Sequence, residues 1–347
     1  MTPPTTRHGR LAAAFALAFA LAGLAPASHA DVRSMVVTSD PQYPWTPASD
    51  ADEPEGEDAR NARSEALIEE QYRSIAAYRA ARPGEDIPVF INGDITAYGH
   101  GWQRSVMARL LPILGENVHF GLGNHDYENN IRQDDGSGCY NNGCARDSID
   151  DLVRHVTRKR EKVSFDFTTY PGLLGNDHVG SLAYAVRAAG MERVLNVQLN
   201  NHPSYEVAFD SLIGLRTSSY RVTSSLPWLE NLLDTQLKVP AYGTPADRPF
   251  DFAIVHMHDP DSTYGAPLAT LLAEHDVAVV FAGHYHQTLG YYRSIGGVPV
   301  YLSGSASQRT YLIVEHDTDV SVLRVYGVRD NDPERKRLIG TVRIPQG

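Results

Sequence analysis

Residues 117–126 read Asn-Val-His-Phe-Gly-Leu-Gly-Asn-His-Asp, an apolar run that turns at Gly123 into a polar block. The same design stands earlier. Ile87–Asn92 (IPVFIN) ends on Gly93-Asp94, and Arg33–Ser39 (RSMVVTS) ends on Asp40. It recurs later, where Phe250–Met257 runs into His258-Asp259-Pro260 and Val277–Phe281 runs into Gly283-His284-Tyr285-His286. Short β-branched runs closed by glycine or a polar cluster read as buried strands. Between the first two runs, Ser64–Ala81 places Leu67, Ile68, Tyr72, Ile75, Ala76 and Tyr78 at helical spacing and stops at Pro83-Gly84. Trp102–Leu114 starts as a helix and is interrupted by Pro112. Strand alternating with helix predicts a layered α/β fold. Each polar block lies beyond a strand's C-terminal end, where open α/β sheets place their sites.

The rest of the chain fills in around these runs. Residues 46–62, rich in Pro, Asp and Glu, read as a loop. Residues 127–180 are polar, rich in Gly and Asn, and read as a loop-rich insertion near the site. Leu182–Val186 and Val194–Leu199 form a hairpin pattern with Gly190 near the turn, and Pro227–Leu237 begins as a helix. Val298–Leu302, Tyr311–Val314 and Val320–Val328 are further strands. Residues 31–347 therefore read as one domain.

The first thirty residues read differently. Arg7 and Arg10 precede Leu11–Leu24, an apolar run of 14 residues that Pro26 ends. At about 1.5 Å per residue such a run is short for a bilayer. Small residues at Ser28 and Ala30 complete the pattern of a secretory signal peptide cut after Ala30. The expected location is periplasmic or secreted, and no later run is long enough for a transmembrane segment. The mature chain carries 29 Lys and Arg against 42 Asp and Glu. That balance argues against nucleic-acid backbone binding, and the densest basic run, Arg158-Lys159-Arg160, is short and followed by Glu161. Two cysteines, Cys139 and Cys144, rule out a disulfide-rich scaffold. In an oxidising compartment they would pair. A metal role for them is not expected, because no His or third Cys is near in sequence.

Five polar blocks carry the chemistry: Asp40-Pro41-Gln42, Gly93-Asp94 with Gly99, Gly123-Asn124-His125-Asp126, His258-Asp259-Pro260 and Gly283-His284-Tyr285-His286. Together they supply carboxylates, amide oxygens and imidazoles enough for two metal ions. Mixed oxygen and nitrogen donors suit Mn²⁺, Fe²⁺/³⁺ or Zn²⁺ rather than Ca²⁺. The fourth block offers two histidines, His256 and His258, two apart and so on one face of a strand. His258 is favoured because it closes the apolar run.

In this order the blocks resemble the calcineurin-like metallophosphoesterases, whose pattern is D-x-H, G-D, G-N-H-[DE], H and G-H-x-H, over most of residues 36–310. The resemblance implies a four-layer αββα sandwich of two mixed β-sheets flanked by helices, around a dinuclear centre. Carried over, Asp40 and His286 would hold the first metal, Asp94 would bridge, and Asn124, His258 and His284 would hold the second. His125 would lie over the phosphate, oriented by Asp126. Gln42 stands where the family has a histidine. Its harder amide oxygen should favour Mn²⁺ over Zn²⁺. A similar D-x-Q block occurs in the branch resembling Mn²⁺-dependent ADP-ribose and CDP-alcohol pyrophosphatases. Tyr43 and Trp45 could wall the pocket, and His100, Asn201 and His202 could face the substrate phosphate.

The implied activity is hydrolysis of a small-molecule phosphomonoester or phosphodiester by a water that the two metals share and activate. His125 would stabilise or protonate the departing oxygen. The alternatives are a nucleotide-pyrophosphate hydrolase and a binding module that keeps the fold without turnover.

Overall fold

The computed structural model describes residue 1 and residues 32–131, 139–244, 247–262 and 265–345. The leader reading of residues 1–30 lies outside the described residues apart from Met1. Residues 31–347 cluster as one compact unit.

Two large sheets carry the fold. The first runs, edge to edge, β17 (Arg337–Arg343), β16 (Val322–Val328), β15 (Tyr311–Asp317), β1 (Val32–Thr38), β2 (Val89–Ile91) and β3 (Val118–Phe120). The second runs β13 (Leu289–Ile295), β14 (Val298–Ser303), β12 (Val277–Ala282), β11 (Phe252–His256), β8 (Val194–Gln198), β7 (Tyr184–Val186) and β4 (Lys162–Phe165). Both are mixed. β1, β2 and β3 are parallel, as are β8, β11, β12 and β14, while the outer strands turn antiparallel. β8, β11 and β12 are buried at every position, which is why β12 is a continuous apolar run and β8 and β11 depart from one only at Asn196, Gln198 and His256.

Strand periodicity divides the core. Phe252 and Ile254 of β11 join Met35, Val37, Phe90 and Phe281 between the sheets. Ala253 and Val255 face the other way, into a cluster with Leu229, Leu232 and Leu233 of α5 (Leu226–Gln236) and Leu268 and Leu272 of α6 (Gly265–Glu274). The first sheet is covered by α2 (Glu57–Ala80), through Ile68, Tyr72 and Ile75, and by α3 (Gly101–Leu110), through Met107 and Leu110. The order is helices, sheet, sheet, helices. Truncating Phe281, buried between the sheets, to alanine would cost about 3–5 kcal/mol.

Two loop assignments are corrected. Within 46–62 lie the one-turn helix α1 (Pro47–Asp50) and the start of α2. Thr46 caps α1, its Oγ1 accepting from the Ser49 N–H while the Ser49 hydroxyl accepts from the Thr46 N–H. The insertion 127–180 contains α4 (Gly143–Thr157), whose Cys144, Ser148, Ile149, Leu152 and Val156 form a buried stripe. It also contributes β5 (Thr168–Pro171) and β6 (Asn176–Gly180), which join β10 (Arg216–Val222) and β9 (Val207–Ile213) in a third, four-stranded sheet. No helix among the described residues is long and apolar enough to cross a membrane.

Candidate metal centre

The site lies where β1, β2, β3, β11 and β12 end. Immediately after them the backbone enters the left-handed region at Asp40, Gln42, Asp94 and His284, with φ of 50°, 40°, 48° and 71°. Asp and His tolerate this region better than most residues; Gln has no such preference. The glycines make room. A Cβ on Gly123 would collide with Asp94 Oδ1, and one on Gly283 with Ser39 Oγ.

One nitrogen organises the centre. The Nδ1–H of His258 donates to the Asn92 carbonyl at 2.9 Å, which turns Nε2 inward. That atom lies 3.1 Å from Asp94 Oδ2, 2.9 Å from Asn124 Oδ1 and 3.3 Å from His284 Nδ1. Asp40 joins the group: its Oδ2 accepts from the His284 N–H at 3.1 Å, and its Oδ1 lies 3.2 Å from His286 Nε2. The other ring nitrogen of His286 is 2.5 Å from Asp50 Oδ1. Asp50 is in turn held by Trp45 Nε1 at 2.7 Å and by Ser307 and Gln308, both at 2.6 Å.

These residues fit a metal ion. Ligand atoms of Asp40, Asp94 and His258, all buried, lie within 4.8 Å of one another. Around His258 Nε2 stand acceptors that only a proton or a cation can satisfy together. Burial alone would lower His258, yet Asp94 and Asp40 outweigh it and hold the imidazole up at about 9. His286 behaves alike: burial pulls it down, and Asp40 and Asp50 raise it to about 10. His284 is lowered, by burial and by the charge of His258. Gln42 is fully buried, and neither of its amide atoms meets a hydrogen-bond partner. A buried amide left so costs about 1–3 kcal/mol, and a cation beside it would remove that cost. Both histidines also show the arrangement of metal-bound imidazoles, one nitrogen inward and the other bonded to a carbonyl or carboxylate.

The calcineurin-like phosphoesterase family profile matches residues 34–288. The chain belongs to the calcineurin-like phosphoesterases. This phosphoesterase is therefore a hydrolase of phosphate esters, in a family that uses divalent metals. Among solved structures it is similar to purple acid phosphatase PPD1 from yellow lupin seeds, at 12% identity over 90% of this chain and 54% of that one, with a TM-score of 0.46. It thus spans about half the length of the lupin protein. It is similar also to the calcineurin-like phosphoesterase YfkN from Bacillus subtilis, at 11% identity over 90% of each chain and a TM-score of 0.39. TT1561 of Thermus thermophilus matches at 14% identity over 85% of this chain and 98% of that one, with a TM-score of 0.39. No curated protein matches the phosphoesterase.

Other residues of the phosphoesterase fall where the sequence did not put them. Asp126 does not orient the His125 ring. Its buried carboxylate accepts from the N–H groups of Ile95, Thr96 and Gly123 at 2.9–3.0 Å, tying the second block to the third. The His125 ring is oriented instead by the Ala97 carbonyl, which accepts from Nδ1 at 2.8 Å. Tyr43 is buried edge-on against Trp102, with centroids 5.6 Å apart, and is no pocket wall. Trp45 stands beside the metal group, 5.5 Å from the His125 ring and 5.8 Å from that of His286. His256 stacks on Phe90 at 4.2 Å, and burial pushes it down to about 3. Asn201 is buried; its carbonyl accepts from the N–H groups of His258 and Asp259, so it supports the ligand loop from behind. His202 packs on Tyr205 and lies 3.2 Å from Ser204 Oγ. His100 turns to the disulfide-bonded Cys139 and Cys144, not to the metal group. Asp50 escaped the sequence reading because nothing in the spacing of its Pro/Asp/Glu-rich segment marks it.

Proposed function

We propose that the chain is an exported, Mn²⁺-favouring phosphoesterase acting on small phosphomonoesters or phosphodiesters. The observation that carries this is the inward Nε2 of His258, ringed by Asp94, Asn124 and His284. Asp40, Gln42 and His286 would hold one ion and Asn124, His258 and His284 a second, with Asp94 between them. When bound, two such ions lower the pKa of a shared water and neutralise the phosphoryl oxygens during in-line attack. The chain's own part is positioning and proton transfer. With Nδ1 committed to Ala97, Nε2 of His125 is the nitrogen left to protonate the leaving oxygen. Trp45 packs edge-on against that ring. Export is supported by the leader pattern and the disulfide.

Gln42 favours a second reading, a nucleotide-pyrophosphate hydrolase, because the D-x-Q block resembles that branch. The test is the mature protein stripped of metal and reloaded with Mn²⁺, Fe²⁺, Co²⁺ or Zn²⁺. It would be assayed on chromogenic monoesters and diesters and on ADP-ribose and CDP-alcohols. Turnover highest with Mn²⁺ is expected. Cleavage of the pyrophosphates alone would select the second reading, and no turnover with any metal would overturn both in favour of a binding module.

A further inference from the structure

The head of α4 carries a second set of donors, away from the hydrolytic centre. Nδ1 of His100 lies 3.4 Å from Cys139 Sγ and 3.6 Å from Cys144 Sγ. Tetrahedral zinc, with Zn–S near 2.3 Å and Zn–N near 2.0–2.1 Å, separates a sulfur and a nitrogen ligand by about 3.6 Å. The donor atoms of all three residues lie within 4.8 Å of one another. The two cysteines are separated by four residues, within the roughly two to four of structural zinc sites. We propose that Cys139, Cys144 and His100, when the sulfurs are reduced, form a zinc site distinct from the hydrolytic centre.

Contacts other than the S–S bond also hold these donors. Asn141 and Asn142 adopt left-handed φ of 61° and 55°, folding the short loop so that both sulfurs face His100. Their side chains fasten the loop to β9: Asn141 Nδ2 donates to the Leu212 carbonyl at 2.8 Å and Asn142 Nδ2 to the Asp210 carbonyl at 2.9 Å. Arg104 of α3 pairs with Asp147 and Asp151 of α4 at 2.9 and 2.7 Å, fixing one helix head against the other. Gln103 Oε1 accepts from the His100 N–H at 3.3 Å. Cys144 lies in the first turn of a 15-residue helix, where the helix dipole favours a thiolate. Two thiolates and an imidazole select Zn²⁺ over Mn²⁺, so the two sites would prefer different metals.

The exchange of states balances. A phosphine reductant attacks one sulfur and the S–S bond breaks. Water supplies oxygen to the phosphine oxide and one proton to each thiol. Zinc then displaces both thiol protons.

The test takes the mature protein, oxidised and phosphine-reduced, and titrates each with Co²⁺ and then Zn²⁺. The reduced protein, its hydrolytic centre first filled with Mn²⁺, should develop a thiolate-to-cobalt charge-transfer band that saturates and is then abolished by Zn²⁺. The oxidised protein should show none. His100→Ala should weaken cobalt binding in that band by about tenfold or more, and Cys139→Ser with Cys144→Ser should remove it. Because the hydrolytic donor set contains no sulfur, the band reports this site alone, whether or not the hydrolase reading stands. It does so even if the double variant fails to fold. A reduced wild-type protein without the band, or a His100→Ala protein with unchanged affinity in it, would overturn the proposal.

Discussion

The two halves of the candidate metal centre are built on different principles. Around His258, every inward atom already faces a partner, and one shared proton can satisfy Asp94, Asn124 and His284 together. Around Asp40 and His286 the protein leaves Gln42 buried with both amide atoms unmet, and it invests instead in an outer carboxylate, Asp50, that steers His286. The first kind of half holds its shape without a cation. The second needs a cation to complete it, so its occupancy should be the more sensitive to changes around it.

The largest effect is expected from Asp94→Asn, because Asp94 serves both halves. Its Oδ2 lies 3.1 Å from His258 Nε2, and its carboxylate lies within 4.8 Å of a ligand atom of Asp40. Activity should fall by about 10³-fold or more, the scale of several kcal/mol of lost charge stabilisation. Metal analysis should show both ions depleted; two full equivalents in the inactive protein would contradict the bridging role. Asp50→Ala should separate the halves. Losing the carboxylate behind His286 should weaken the first metal by roughly 10–100-fold and spare the second. Calorimetric titration showing equal loss at both would erase the distinction. Gln42→His should have a smaller effect, raising Zn²⁺-supported activity relative to Mn²⁺ by several-fold. Superimposable activation curves for the two metals would mean that Gln42 only packs.

The smallest expected effect is on stability against pH. His286 and His258 are raised to about 10 and 9 from an ordinary value of 6.5. In the metal-free protein their pairing with carboxylates is complete below about 6.5 and is lost as pH climbs through 9 and 10. Thermal melts of metal-free protein should therefore decline across that window, while metal-loaded protein, its imidazoles neutral throughout, should lack the decline. Parallel curves for the two forms would count against the cation replacing those protons.

Legibility in the sequence follows burial. β12 reads clearly because both faces are covered and every residue is apolar, and β8 and β11 because Asn196, Gln198 and His256 are the only polar residues in their buried runs. β9 and β10 escaped because much of β10 is solvent-facing and polar. The first turns of α2 were hidden in an acidic stretch, since Glu57 and Asp58 suit a helix start yet bury nothing. The stripe on α4 was readable in principle, but its Gly and Asn neighbours concealed it. The metal blocks were legible as order and spacing. The supports, Asp50 behind His286 and Ala97 behind His125, were not, because a main-chain carbonyl or a carboxylate brought in by a one-turn helix leaves no periodic trace.

The left-handed backbone at Asp40, Gln42, Asp94 and His284 has a consequence for anyone evolving the protein. Non-glycine residues held in such conformations cost about 1–3 kcal/mol each. Gln42 is the least suited of the four to that conformation, so Gln42→Gly should emerge readily from a library screened only for heat resistance. Such winners would be sturdier, having traded the proposed metal donor for a relaxed turn. A screen that demands turnover in every round is the one that would keep position 42 under tension.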